Sequence, residues 1–168
     1  MRLRWVRGDT MAEFAYNPLQ IVEPNQNVIL DTVIPCNKGY VFHRDQSGIV
    51  ILRGIVNCPN SCFARYQVTF NGNIAVAEGS AVGPISVALA IDGEPIQTSK
   101  AIVTPAGTAE APPSLVNYFN VTSTAIINVP KGCCFTVAVE NTSGPAEPGG
   151  VAPEINVQNA NLTVARIA

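Results

Sequence analysis

Residues 130–143 (Pro-Lys-Gly-Cys-Cys-Phe-Thr-Val-Ala-Val-Glu-Asn-Thr-Ser) constrain the fold more than any other stretch of this chain. A Pro-Lys-Gly turn leads into strict alternation, and polar turn residues close it. Successive side chains of a strand point to opposite sides. Cys133, Phe135, Val137 and Val139 therefore share one face, and Cys134, Thr136 and Ala138 share the other. That second face is small and weakly polar, where a strand facing water would carry Lys, Glu or other long polar groups. It reads as a strand covered on both sides. The pattern recurs along the chain, so the expectation is an all-β antiparallel sandwich that packs against copies of itself.

Composition enters as support. Charged residues make up 13% of the 168 positions, about half the usual quarter, while 47% are hydrophobic. One domain with a sizeable core suits this length. A net charge of −2 leaves no general basic footprint for nucleic acid. No apolar run approaches the roughly 20 residues of a membrane helix. Charge is uneven, because residues 1–10 hold three Arg and one Asp while the rest of the chain is acidic. Either an upstream start adds a loose tail before Met11, or Arg2, Arg4 and Arg7 with Trp5 as apolar anchor form a basic arm for an acidic partner. No apolar stretch follows these arginines, so a secretory signal is not expected and the chain is placed in a cytosol during synthesis.

Read in order, residues 14–26 contain two Pro and no periodicity and look like an extended lead-in, which places a domain boundary at 27. Residues 27–34 alternate as a first strand, 40–44 are short and β-prone, and 49–56 are apolar on both faces, as in a doubly buried strand. Residues 63–71 form the clearest half-buried strand, with Ala64, Tyr66, Val68 and Phe70 on one face. Asn71-Gly72-Asn73 then reads as a turn. Residues 84–91 lead into Asp92-Gly93, a tight-hairpin signal, and a return strand over 95–104. The segments 105–113 and 144–153 read as loops, and 117–129 and 155–167 as long strands. This makes eight to ten strands and no helix, a sandwich or jelly roll.

Chemistry is sparse. Cys58-Pro-Asn-Ser-Cys62 and Cys133-Cys134 do not supply two well-spaced chelating pairs, so no metal or cofactor is expected. Buried thiols acting as small hydrophobes are the default, with a Cys58–Cys62 disulfide open to a protein that meets an oxidising exterior. His43 is the single histidine, and no Gly-x-Ser-x-Gly elbow accompanies it. No enzymatic role is expected. Asn120, Asn141 and Asn161 match the glycosylation pattern, which is meaningless without secretion.

Four features together resemble the TNF/C1q-like jelly roll: Tyr66-x-Val68-x-Phe70 before Asn71-Gly72, the hairpin of residues 88–93, the strand and turn of 124–132, and the closing 160–167. The likeness covers residues 27–168, and no Gly-x-y stalk precedes it. The whole chain is also similar to small virion surface proteins of phages of gut-type bacteria.

The resemblance implies a tight homotrimer with one sheet of each subunit around a threefold axis. The small faces (Ser86, Ala88, Ala90; Cys134, Thr136, Ala138; Thr163, Ala165, Ile167) would permit close approach there. Tyr66, Phe70, Tyr118 and Phe119 belong to either the axis or the core. The expected interface comprises Tyr66, Phe70, Ala88, Ala90, Phe119, Cys134, Thr136, Ala138 and Ala165. The implied role is a phage capsid decoration protein on the virion surface, whose partners are its own copies and the major capsid protein. Residues 1–26 would grip the shell through Arg2, Arg4, Trp5, Arg7, Phe14 and Tyr16. The alternatives are the receptor- or glycan-binding tip of a phage fibre or tail, or a spore-surface C1q-like protein.

Overall fold

The computed structural model describes residues 11–34, 39–44, 46–105 and 118–168. They form twelve strands: β1 (Met11–Tyr16), β2 (Gln20–Val22), β3 (Thr32–Ile34), β4 (Val41–His43), β5 (Val50–Arg53), β6 (Phe63–Val76), β7 (Ile85–Ile91), β8 (Glu94–Pro95), β9 (Ala101–Val103), β10 (Phe119–Pro130), β11 (Cys134–Asn141) and β12 (Ile155–Arg166). A single 3₁₀ turn, Gln97–Ser99, is the one helical element among the described residues. The first sheet runs β10-β6-β12-β1-β3, with β2 also on β12, and the second runs β4-β5-β11-β7-β8, with β9 also on β7. Every strand pairing among them is antiparallel. The expected all-β sandwich is present.

The two sheets close on side chains that alternation predicts. Phe14, Tyr66, Val68, Phe70, Ile74, Leu162 and Val164 from the first sheet meet Val50, Leu52, Val87, Leu89, Val137 and Val139 from the second, all without accessible surface. Each such side chain contributes about 1.5–3 kcal/mol on burial. Polar side chains also bridge the two sheets. The Tyr66 hydroxyl donates to the Arg53 carbonyl oxygen at 2.6 Å, with that of Tyr40 at 3.2 Å. Burial pushes its phenol above the ordinary value, against the opposing pull of Arg166.

Several sequence expectations need correction. Residues 11–22 are not a lead-in. β1 pairs with β12 from Met11↔Ala165 to Tyr16↔Ala160, and β2 continues along the same strand. Phe14 stacks on His43 in the core, with ring centroids 5.1 Å apart, so neither it nor β1 belongs to a free arm, and the sandwich reaches back at least to Met11 rather than starting at 27. Arg2, Arg4, Trp5 and Arg7 lie outside the described residues.

Residues 27–34 are not one strand either, because the segment changes sheet midway. Val28 donates to Val139 O at 2.8 Å beside β11. The Gln20 side-chain amide then brackets Ile29, accepting from its N at 2.8 Å and donating to its O at 3.0 Å, before β3 joins β1. β5 is buried on one face alone, since Ile51 is half-buried and Arg53 is exposed with its Nη1 on Gly39 O. The return from the Asp92-Gly93 hairpin also breaks. Ser99 Oγ in the 3₁₀ turn accepts from Leu89 N at 3.0 Å, standing in for a strand partner between β8 and β9.

Asn71-Gly72-Asn73 does not turn. β6 runs straight through it for 14 residues, in unbroken register with β10 from Phe119↔Ile74 to Pro130↔Phe63. Glycine stands here for lack of room: a Cβ on Gly72 would lie 2.8 Å from the Phe70 ring.

Candidate self-association surface

The outer face of the first sheet is built from the strand positions that alternate with its core residues. Register aligns them in rows across four strands. Met11, Ala165, Gln67 and Ile126 form one row. Glu13, Thr163, Thr69 and Thr124 form the next, and Ala15, Asn161, Asn71 and Thr122 the third. The first row is an apolar band interrupted by Gln67, with Met11 and Ile126 60% and 62% exposed and Ile167 beside them at 49%. The other rows are mostly hydroxyls and amides, and among the described residues the face carries Glu13 and, at its margin, Arg65 as ionisable groups.

These polar side chains mostly satisfy one another. Asn71 Nδ2 donates to Asn120 Oδ1 at 3.0 Å and to Thr122 Oγ1 at 2.9 Å, and Asn120 Nδ2 donates to Asn73 Oδ1 at 3.0 Å. Thr124 Oγ1 donates to Thr69 Oγ1 at 3.2 Å. Asn161 donates to the Glu13 carboxylate and accepts from Thr163 Oγ1 at 3.2 Å. A polar surface whose groups are already paired loses little when water leaves it, unlike one whose groups must abandon water unpaired. Among the described residues the face is nearly uncharged and chemically suited to being covered.

The residues expected at a trimer interface do not gather there. Tyr66 and Phe70 are core, which resolves the axis-or-core alternative for them. Phe119 is half-buried and packs against the core, and Tyr118 is 39% exposed just before β10. Ser86, Ala88, Ala90 and Ala138 lie on the second sheet and are already buried within one chain, leaving a second copy almost nothing to touch. Cys134 and Thr136 share that sheet's outer side, opposite Ala165. Thr136 is held by Asp92 Oδ1, which accepts from its N at 2.8 Å and its Oγ1 at 2.9 Å. Three small faces expected around one axis are thus split between opposite sides of the sandwich. Of the nine residues, Ala165 alone stands on the nearly uncharged face.

The remaining chemistry is scattered. His43 is 1% exposed, and its Nε2 donates to Ser47 O at 2.8 Å while Nδ1 has no partner. Tyr16 is half-buried at the end of β1. A groove of about 650 Å³ at one end of the sandwich is rimmed by Glu23, Glu78 and Glu154, yet no group of three metal-ligating side chains occurs among the described residues. The four described cysteines are all exposed, contrary to the expectation of buried thiols.

Two six-stranded antiparallel sheets in this order define a TNF/C1q-like jelly roll. No family model matches the sequence, and no curated protein matches it. Among solved structures, the chain is similar to the globular domain of the zebrafish complement 1qA protein. The identity is 12%, over 96% of this chain and 98% of that one, with a TM-score of 0.57. It is also similar to Eiger TNF from S. frugiperda at 14% identity, over 94% and 92% of the two chains, with a TM-score of 0.54. At these identities the likeness establishes the fold alone.

Proposed function

We propose that this chain is a non-catalytic structural domain whose copies associate through the outer face of the first sheet. The observation that carries the reading is the self-paired Asn/Thr ladder beside an apolar band on a face with almost no charge. A homotrimer buries that face once per subunit and accounts for a surface so poor in charge. Burial of the sole histidine against Phe14 supports a role without acid–base chemistry.

The finer reading is a phage capsid decoration protein that sits on the outer shell, binds the major capsid protein and stabilises the particle. It rests on the sequence resemblance to virion surface proteins. Residues 1–10, with Arg2, Arg4, Trp5 and Arg7, remain the segment to grip the shell, because residues 11–22 are committed to the first sheet.

The test is the mass of the purified chain in solution, alone and with empty capsids from the same source. A trimer that co-sediments with shells, and stops doing so without residues 1–10, supports the whole reading. A trimer that ignores shells and binds cells or glycans replaces decoration with a fibre- or tail-tip role. A monomer overturns the assembly.

A further inference from the structure

The loops β5–β6 and β10–β11 meet at one end of the sandwich, and four exposed thiols gather there: Cys58 and Cys62 in the first loop, Cys133 in the second and Cys134 at the start of β11. Lys131 N donates to Cys62 O at 2.9 Å, Gly54 N to Cys133 O at 2.8 Å and Gly132 N to Gly54 O at 2.9 Å, so backbone bonds stitch the two loops together. Within the first loop, Ser61 N donates to Cys58 O at 3.2 Å, which folds Cys58-Pro-Asn-Ser into a reverse turn. Such a turn brings its ends within about 7 Å, and Cys62 follows immediately. Disulfides need Cα separations of about 4.4–6.8 Å.

We propose that Cys58 and Cys62 form a reversible disulfide that clips this loop. The other thiols are worse placed to pair with each other. Cys133 sits in a turn, with its N on Pro130 O at 3.0 Å, and Cys134 is fixed in β11 opposite Arg53. Adjacent positions at a strand start face opposite ways. Cys62 is anchored through its carbonyl to Lys131, while Cys58 lies across the Pro59-Asn60 reversal and closes onto it.

The oxidant is a small-molecule disulfide, such as oxidised glutathione. One protein thiolate attacks it, forming a mixed disulfide and releasing one glutathione thiolate. The neighbouring protein thiolate attacks the protein-borne sulfur, closes the Cys58–Cys62 bond and expels the second glutathione. The protein loses two protons and two electrons, and the oxidant becomes two thiols.

The experiment treats the native full chain with oxidised glutathione, blocks free thiols by alkylation and digests with trypsin. Cleavage after Arg53 and Arg65 isolates residues 54–65 with both cysteines, whereas Cys133 and Cys134 fall on residues 132–166 and Cys36 on residues 8–38. The expected product is peptide 54–65 two hydrogens lighter and unalkylated, returning to the doubly alkylated form after reduction. In Cys62→Ser the remaining Cys58 retains one glutathione, because no neighbour displaces it. The proposal is overturned if peptide 54–65 stays doubly alkylated, if it is joined to peptide 132–166, or if the unmutated chain accumulates glutathione on Cys58. None of these outcomes depends on the assembly state.

Discussion

Two buried polar side chains define the residue scale, and they act with opposite signs. Asn141 has no accessible surface. Its Nδ2 donates to Val22 O at 2.9 Å and Pro153 O at 3.2 Å, and its Oδ1 accepts from Ser143 N at 3.0 Å, tying the ends of β2 and β11 to the loop before β12. Asn141→Ala leaves those three groups unpaired in a dry site and is expected to cost about 3 kcal/mol, measurable as a lower denaturant midpoint. Glu140 is 8% exposed on the outer side of the second sheet. Burial first, and Glu94 second, raise its carboxyl above 4.5. Because the folded state holds this proton more tightly than the unfolded chain, the contribution of this carboxyl to stability is greatest in acid. It falls as pH rises through 4.5 towards the folded value, and stays lower beyond it. Glu140→Gln removes that penalty. The variant should melt higher than the parent near neutral pH and match it in acid, and equal melting at both pH values would mean that the buried carboxylate costs nothing. Local signals were readable where one residue decides the backbone. Asp92 and Gly93 take positive φ, 51° and 84°, as the hairpin signal requires.

At the scale of elements, β10 is the clearest case of a strand shaped for contact. Its twelve residues pair with β6 without a bulge and include no charged side chain. Long, regular, uncharged strands are the ones natural proteins otherwise blunt with Lys, Pro or bulges. Ile126→Arg places a charge in the apolar band while leaving the core residues untouched. The expected result is loss of the assembled species in a sedimentation experiment with an unchanged melting temperature. A full-mass assembly in this variant would exclude the first sheet's outer face as the interface. The ladder residues Asn71, Asn73 and Asn120 were hidden from sequence reading because Asn-Gly-Asn carries the local signature of a turn. That preference lost to register with β10 and to the space taken by the Phe70 ring. Gly72→Ala should therefore destabilise the fold by about 1–3 kcal/mol, seen as an earlier thermal transition, whereas a true turn glycine without crowding would tolerate alanine better.

For the whole molecule, truncation tests what the N-terminal strands contribute. Deleting residues 1–26 removes β1, β2 and the buried Phe14, and exposes the β12 edge that they cover. That chain should lose its cooperative transition in calorimetry. The sequence by itself determined the class of architecture, since alternation at period two, Gly turns and the absence of helical spacing leave an antiparallel sandwich as the consistent solution. It also determined which residues of a strand share a face, as Tyr66, Val68 and Phe70 do. Only the tertiary structure decided which sheet each strand enters, and so which small faces lie together. Alternation is a local property of one strand, whereas sheet membership depends on partners far away in the chain, such as Met11 with Ala165 or Val28 with Val139. For that reason Ala88, Ala138 and Ala165 look equivalent in the sequence and stand on opposite sides of the protein.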